Sequence, residues 1–159
     1  MNPAPIPASR VIRALALALL LAAGGCGREP TLDPPDVAYG KALCERCGMI
    51  VSDERFATAM IVDRGGEILP VVFDDIGDML EYERDAGPVV LRRYVHDHET
   101  GDWLNAERAV YVWSDALRTP MASGLAAFAG ADAAQAAAEG LGGETLSYPD
   151  LAARYSGGE

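Results

Sequence analysis

Two thiols and a thioether lie within the short segment Cys44-Glu-Arg-Cys47-Gly-Met49. Sulfur ligands of this kind suit monovalent copper better than zinc, iron or hard cations. If the chain is extended after Cys47, side chains alternate, so Cys47 and Met49 project from the same face and Cys44 lies in the turn before them. The segment therefore predicts a Cu(I) site formed by Cys44, Cys47 and Met49. Met49 also fits a simpler role as a core residue, which is the commoner use of methionine.

A further sulfur donor, Met121, occurs in the segment Thr119-Pro-Met-Ala-Ser-Gly124. Proline and small residues at this density predict a loop or a strand edge rather than the interior of a helix. Such a loop could face the cysteine segment if two halves of the domain pack together. A buried methionine at the start of a strand fits the same residues, and spacing does not separate the two interpretations.

The two histidines of the chain, His96 and His98, flank Asp97. This arrangement could bind Cu(II) or Zn(II) with support from a carboxylate. The residues that follow, Thr100-Gly101-Asp102, are typical of a turn. A polar turn after a strand is therefore the preferred interpretation.

The cysteine pair also admits two functions without copper. Cys44 and Cys47 could act as a thiol–disulfide oxidoreductase, or they could form a structural disulfide in a binding protein. In such oxidoreductases the reactive cysteine begins a helix whose N-terminus lowers the thiol pKa. Strand-forming residues follow Cys47 here, so a metal carrier without enzymatic activity is the preferred interpretation.

Composition excludes several classes of protein. The chain of 159 residues carries 24 acidic and 13 basic side chains, a net charge of −11, and 50% of its residues are hydrophobic. An acidic chain of this kind offers no basic surface for the phosphates of DNA or RNA. The hydrophobic content is too high for a disordered acidic polypeptide, so the length predicts one folded domain.

The N-terminal residues have the composition of an export signal. Arg10 and Arg13 precede an apolar run over residues 14–23, which is shorter than the ~20 residues that span a bilayer. Small residues then lead into Cys26 in an arrangement that resembles a bacterial lipobox. We expect residues 1–25 to be a lipoprotein signal peptide and Cys26 to carry the lipid. Cleavage by an ordinary signal peptidase, with Cys26 left as a free thiol, is the alternative.

The stretch after Cys26 is rich in proline and acidic residues, and proline at this density opposes helix and sheet formation. We therefore expect a flexible tether over residues 26–40, a metal-binding domain over 41–155 and a disordered tail over 156–159. The expected location is the periplasmic side of a bacterial membrane, with the lipid as anchor.

Strand and helix patterns alternate along the domain. Strand-forming runs occupy residues 49–51, 56–62, 68–73, 89–95, 109–113, 119–128 and 145–148. Asp74-Asp75 can cap a helix that ends at Gly87-Pro88, and a second helix is expected over residues 132–139. The order ββαβ thus occurs twice, which predicts an α+β domain of two ββαβ-like units.

Taken together, these motifs resemble the NosL family. The resemblance rests on three blocks, Cys44-Glu-Arg-Cys-Gly-Met-Ile-Val-Ser-Asp53, Val72-Phe-Asp-Asp-Ile-Gly-Asp-Met79 and Thr119-Pro-Met-Ala-Ser-Gly-Leu125 with the following Ala127-Phe128. It extends from Cys44 to Phe128 and includes the lipoprotein signal. The cysteine block and the Thr-Pro-Met block are specific in combination, whereas either block alone would be weak.

The resemblance implies a lipid-anchored, periplasmic Cu(I) chaperone for the maturation of nitrous oxide reductase in denitrifying bacteria. It implies nitrous oxide reductase and an ABC-type maturation complex as partners, and a fold of two ββαβ-like units. It also places Cys47, Met49 and Met121 around the copper ion, with Cys44 as a further candidate ligand.

Overall fold

The structure is a computed structural model that describes residues 31–157. The predicted signal peptide and Cys26 lie outside the described residues, as do residues 158 and 159 of the expected tail. Within the described range, no helix is long and apolar enough to cross a membrane.

Two ββαβ units form the domain, and this confirms the predicted fold class. In the first unit, strands β1 (Thr58–Arg64) and β2 (Glu67–Phe73) precede helix α1 (Ile76–Ala86) and strand β3 (Val89–His96), and a short strand β4 (Trp103–Asn105) follows. In the second unit, strands β5 (Val110–Trp113) and β6 (Leu125–Phe128) precede helix α2 (Ala131–Leu141), strand β7 (Glu144–Leu146) and a final helix α3 (Tyr148–Ser156).

Each unit folds into an antiparallel sheet with the same arrangement. The strand orders are β2-β1-β3-β4 and β6-β5-β7, so the first strand of each unit lies between the second and third. An isolated parallel bridge between Asp97 and Ala127 joins the end of β3 to β6. The N–H of His98 donates to the Ala127 carbonyl across the same contact. The two units are therefore joined directly at the sheet level.

Turn and capping residues explain where these elements begin and end. The turn between β1 and β2 contains Gly65 and Gly66, both with positive φ, which glycine adopts without a Cβ penalty. Asp75 is the N-cap of α1, and its carboxylate accepts the N–H of Gly77 at 2.7 Å. Gly87 ends the helix in the left-handed conformation. The predicted cap and stop of this helix are both confirmed.

Pro70 lies within β2, which is an edge strand of the first sheet. Two residues later, the Val72 carbonyl faces away from β1, because it accepts the N–H of Glu45 at 2.8 Å. Residues two apart on a strand direct their backbone groups to the same side. The N–H that proline lacks would therefore also face away from β1, so the sheet loses no hydrogen bond at Pro70.

The core draws on both units. Its largest fully buried side chains come from β1, β2, α1, β3, β5, β6 and α3 as well as the segment before β1, and they are Val51, Met60, Ile61, Val62, Phe73, Ile76, Met79, Val95, Tyr111, Val112, Leu125 and Leu151. A smaller cluster under α2 includes Phe56, Ala126, Phe128, Ala134 and Ala138. Because the units share one core, segments that are distant in sequence can meet around α1.

Two predicted strands differ from the structure. Residues 49–51 form no strand, and Ile50 makes only an isolated bridge with Leu43. Of the run over 119–128, only Leu125–Phe128 is a strand, because a turn occupies residues 120–122 and Gly124 takes a positive φ. Both departures occur next to glycines, and both leave a sulfur-bearing segment in a loop.

Helix α3 is absent from the sequence-based expectation, which placed a strand over 145–148. Tyr148 begins this helix, and Ser147 and Asp150 form a capping box with Pro149 in the first turn. The described part of the expected tether, residues 31–40, has no helix or strand. It nevertheless packs on the domain, since Val37 is buried in the core and the Tyr94 hydroxyl donates to the Leu32 carbonyl.

Candidate metal centre

The cysteine segment is a tight loop. The N–H of Cys44 donates to the Met49 carbonyl at 2.7 Å, and the N–H of Gly48 donates to the Cys44 carbonyl at 2.9 Å. Gly48 has φ +72°, in the left-handed region that favours glycine. The chain therefore reverses between Cys47 and Met49. The expectation that an extended chain would place these two side chains on one face of a strand is wrong.

Ion pairs fix this loop to its surroundings. Arg46 bridges to Glu81 at 2.6 Å and to Asp85 at 3.3 Å, both on α1. Glu45 pairs with Arg64 at the end of β1. These side chains are partly exposed, so solvent screens each pair and its contribution to stability is small. Their shared effect is to hold the cysteine loop against the second half of α1 and the end of β1.

Cys44, Cys47 and Asp78 form a cluster that could hold a metal ion. One ligand atom from each residue lies within 4.8 Å of the other two, and no other group of three or more such side chains occurs in the part of the chain that the structure describes. Cys44 and Asp78 are buried, whereas Cys47 is partly exposed. The Cys44 thiol donates to Oδ2 of Asp78 at 3.1 Å. The cluster is therefore open on the Cys47 side.

Both cysteines are free thiols. This state differs from the alternative of a structural disulfide between Cys44 and Cys47. It leaves both sulfur atoms available as metal ligands.

Burial raises the pKa of the Cys44 thiol to about 12, and the hydrogen bond to Asp78 acts in the same direction. Cys44 is therefore a neutral thiol near pH 7. A thiol–disulfide oxidoreductase requires the opposite, a partly exposed cysteine with a lowered pKa at a helix N-terminus. The buried position of Cys44, in a loop rather than at the start of a helix, argues against the oxidoreductase alternative.

Buried carboxylates around the N-terminus of α1 contact the chain on both sides of the cysteine loop. Asp78 accepts the Cys44 thiol, and Asp74 accepts the N–H of Ser52 at 2.8 Å. Burial raises the pKa of Asp74. The helix N-terminus, where unpaired N–H groups face outward, favours negative charge at these positions. Asp78 was not predicted as a site residue, although its place three residues after the N-cap gives a signal for it.

Met121 reaches the same turn of α1 through its backbone. Its N–H donates to Oδ2 of Asp75 at 3.1 Å, and the Thr119 hydroxyl donates to the same oxygen at 2.6 Å. Met121 is partly exposed and lies in a turn ahead of β6, which agrees with the loop interpretation rather than with a buried strand residue. The Thr-Pro-Met segment and the cysteine loop therefore both bind to the N-terminal end of α1.

Met49 lies at the surface. Its side chain is 55% exposed, and the neighbouring Leu43 and Ile50 are exposed to a similar degree. The core role that methionine most often plays does not apply here. The cysteine loop instead presents an apolar, solvent-facing rim that contains a thioether.

The histidines lie outside the metal cluster. The Nδ1 atom of His96 bonds to the Gly101 carbonyl at 2.7 Å, and its Nε2 atom bonds to the Tyr39 hydroxyl at 2.8 Å. Its ring stacks on Trp103 with centroids 3.7 Å apart. Burial lowers the pKa of His96. Both ring nitrogens of His96 are thus used within the fold.

His98 packs between Phe56 and Phe128, with ring centroids 5.3 and 5.6 Å away. Burial also lowers its pKa. Asp97 accepts the N–H groups of Glu99 and Thr100, as in the turn that the sequence predicts. The His-Asp-His segment is a structural turn in this chain.

Known proteins share both the fold and the sequence pattern of this chain. No curated protein matches the chain. A solved structure described as "Crystal structure of the copper chaperone NosL from Shewanella denitrificans" shares its fold, with a TM-score of 0.65 at 19% sequence identity, over 76% of this chain and 96% of that chain. The sequence model of the NosL family matches residues 38–156, which include both ββαβ units and the cysteine loop. The chain therefore belongs to the NosL family.

Proposed function

We propose that this protein is a Cu(I)-binding chaperone rather than an enzyme. The observation that carries the proposal is the convergence of the free thiols of Cys44 and Cys47 in a loop that is open on one side. Thiolate and thioether ligands select monovalent copper. Membership of the NosL family, and a fold shared with a protein described as a copper chaperone, support copper as the cargo.

The burial pattern suits a carrier that must also release its metal. Cys44 is 2% exposed and would retain the ion, whereas Cys47 is partly exposed and Met49 is 55% exposed. A ligand from an acceptor protein would approach from the exposed side and replace the outer ligands first. The ion would pass through a shared intermediate, so free copper need not form.

The acceptor in this proposal is nitrous oxide reductase, reached with the help of an ABC-type maturation complex. The protein would be held by lipid on Cys26 at the periplasmic side of a membrane. Support comes from the family and from the lipobox-like sequence before Cys26. A Cys26→Ser variant should lose its membrane association while it keeps Cu(I) binding, and fractionation of cells that express the two forms tests this.

Anaerobic titration of the purified protein with Cu(I), in competition with a chromogenic Cu(I) chelator, tests the proposed cargo. We expect about one equivalent to bind, and we expect Cys44→Ser and Cys47→Ser to weaken binding strongly. Met60→Leu is a matched control for Met49→Leu and Met121→Leu, because Met60 is a buried methionine of β1. Failure to bind one equivalent, or full binding by both cysteine variants, would contradict the proposal.

X-ray absorption of the Cu(I) form would count the sulfur and nitrogen neighbours. If the copper ion loses one sulfur neighbour in Met49→Leu or Met121→Leu, and none in Met60→Leu, the thioether removed by that substitution is a copper ligand. Insulin reduction measures the competing oxidoreductase activity, which should be absent. Reduction at the rate of a known thiol–disulfide oxidoreductase would favour the enzyme instead.

A further inference from the structure

We propose that Asp75 is a positioning residue that fixes Met121 beside the cysteine loop and thereby strengthens metal binding. This inference rests on the proposed Cu(I) function, and it adds a residue that touches no sulfur atom. It depends on how one buried carboxylate divides its two oxygen atoms.

Asp75 is fully buried, and each oxygen has a separate task. Oδ1 accepts the N–H of Gly77 at 2.7 Å, which caps α1. Oδ2 accepts the Thr119 hydroxyl at 2.6 Å and the N–H of Met121 at 3.1 Å. The second oxygen is therefore given entirely to the Thr-Pro-Met segment.

The neighbouring carboxylate on the same turn contacts the cysteines. Asp75 is the N-cap and Asp78 is the third helical residue, and side chains at these two positions lie next to each other. Asp78 accepts the thiol of Cys44 at 3.1 Å. The backbone of Met121 and the sulfur of Cys44 are thus bound to adjacent carboxylates of one helical turn.

A close contact between Gly77 and Ser123 further restricts the position of the Thr-Pro-Met segment on α1. Gly77 is so close to this segment that a Cβ atom added to it would lie 2.8 Å from Cβ of Ser123. The N–H of Gly124 also donates to the Thr119 hydroxyl oxygen at 3.3 Å. The segment therefore has one defined position on α1, which limits where the Met121 thioether can reach.

Asparagine at position 75 separates the two tasks of the carboxylate. Asn is as good an N-cap as Asp, so Asp75→Asn can keep the bond to Gly77. It has one acceptor oxygen, and its amide nitrogen cannot accept the N–H of Met121 or the Thr119 hydroxyl. The variant therefore preserves the helix cap and removes the two hydrogen bonds by which Oδ2 orients the segment.

The experiment compares Cu(I) dissociation constants of the wild type, Asp75→Asn, Met121→Ala and the double variant. Removal of a group that orients a metal ligand typically costs 10–100-fold in affinity, and we expect this loss for Asp75→Asn. The double variant should be no more than about twofold weaker than Met121→Ala, because coupled residues are not additive. Asp97→Asn is the matched control, since Asp97 is also buried and accepts three backbone N–H groups. The Cu(I) dissociation constant of this variant should stay within about twofold of the wild-type value.

A spectroscopic measurement separates positioning from a general loss of stability. With ¹³C-methyl methionine, the Met121 methyl resonance should shift on addition of Cu(I) in the wild type and in Asp97→Asn. The shift should be lost or reduced in Asp75→Asn. If Asp75→Asn does not fold, Thr119→Val removes one of the two bonds to Oδ2, and Thr119→Ser keeps the hydroxyl and should restore the shift.

The outcomes are distinct. Fully additive losses in Asp75→Asn and Met121→Ala, or a wild-type Met121 shift in Asp75→Asn, would overturn the positioning role. Wild-type Cu(I) binding without any Met121 shift would also overturn it, while the proposed function would stand. Absence of Cu(I) binding by the wild type would instead reject the proposed function.

Discussion

A rise in pH should strengthen Cu(I) binding, and Cys44 should account for one proton of this effect. Its thiol pKa of about 12 in the metal-free protein means that Cys44 carries its proton throughout the range from pH 6 to pH 8. Copper binds the thiolate, so complex formation must release that proton. Affinity for Cu(I) therefore rises with pH, because a higher proton concentration favours the metal-free form.

One proton released per ion changes the binding constant tenfold per pH unit, or about 1.4 kcal/mol. From pH 6 to pH 8, Cys44 should therefore contribute about a hundredfold, or about 2.7 kcal/mol.

The assay is a competition titration at pH 6, 7 and 8 against a chelator of known proton dependence. The slope of log affinity against pH should be smaller by about one in Cys44→Ala than in the wild type, for the single proton that Cys44 supplies. Met60→Leu should keep the wild-type slope. Equal slopes for the wild type and Cys44→Ala would refute the reasoning.

Three further predictions concern the surface and the fold. Ile50→Glu changes an exposed position beside the cysteine loop. It should leave the Cu(I) affinity within about twofold of the wild type, since substitutions at the surface usually have small effects. It should also decrease the rate of copper transfer to the acceptor, measured with purified partners. Gly124→Ala should lower the free energy of unfolding, measured in urea, by at least about 2 kcal/mol. The reason is that Gly124 has φ +69° and an added Cβ would lie 2.6 Å from the Ser114 carbonyl oxygen. The control Gly140→Ala should lose no stability, because open space surrounds Gly140. Tyr39→Phe should cost about 1 kcal/mol in the same assay, through the lost hydrogen bond to His96; no change would show that this bond does not contribute.

Much of the fold was accessible from sequence because its signals are local. Alternating apolar runs, the Gly65-Gly66 turn and the Asp75 cap each specify a boundary by themselves, and together they give the ββαβ order twice. Strand patterning does not predict helix α3, because Tyr148, its first residue, also fits the end of a strand. Its Ser147 and Asp150 capping box was the available signal.

The candidate site was only partly accessible. The residue types of Cys44 and Cys47 predict soft-metal chemistry, and the structure brings their sulfur atoms together. The conformation of Gly48 could not be inferred from alternation, because a positive φ at one glycine reverses the chain and cancels the strand period. The position of Asp78 in the first turn of α1 follows from the sequence, but its contact with Cys44 spans 34 positions, and no local pattern encodes that contact.

The edge of the first sheet has a consequence for the protein in a crowded compartment. An open edge strand offers unpaired N–H and C=O groups to which another chain can add, and this is a route to aggregation. On β2, Pro70 offers no N–H at that edge, and the Val72 carbonyl is already occupied by Glu45 of the cysteine loop. The loop that bears Cys44 and Cys47 thus also covers part of this edge, so a variant that unfolds the loop should be less soluble.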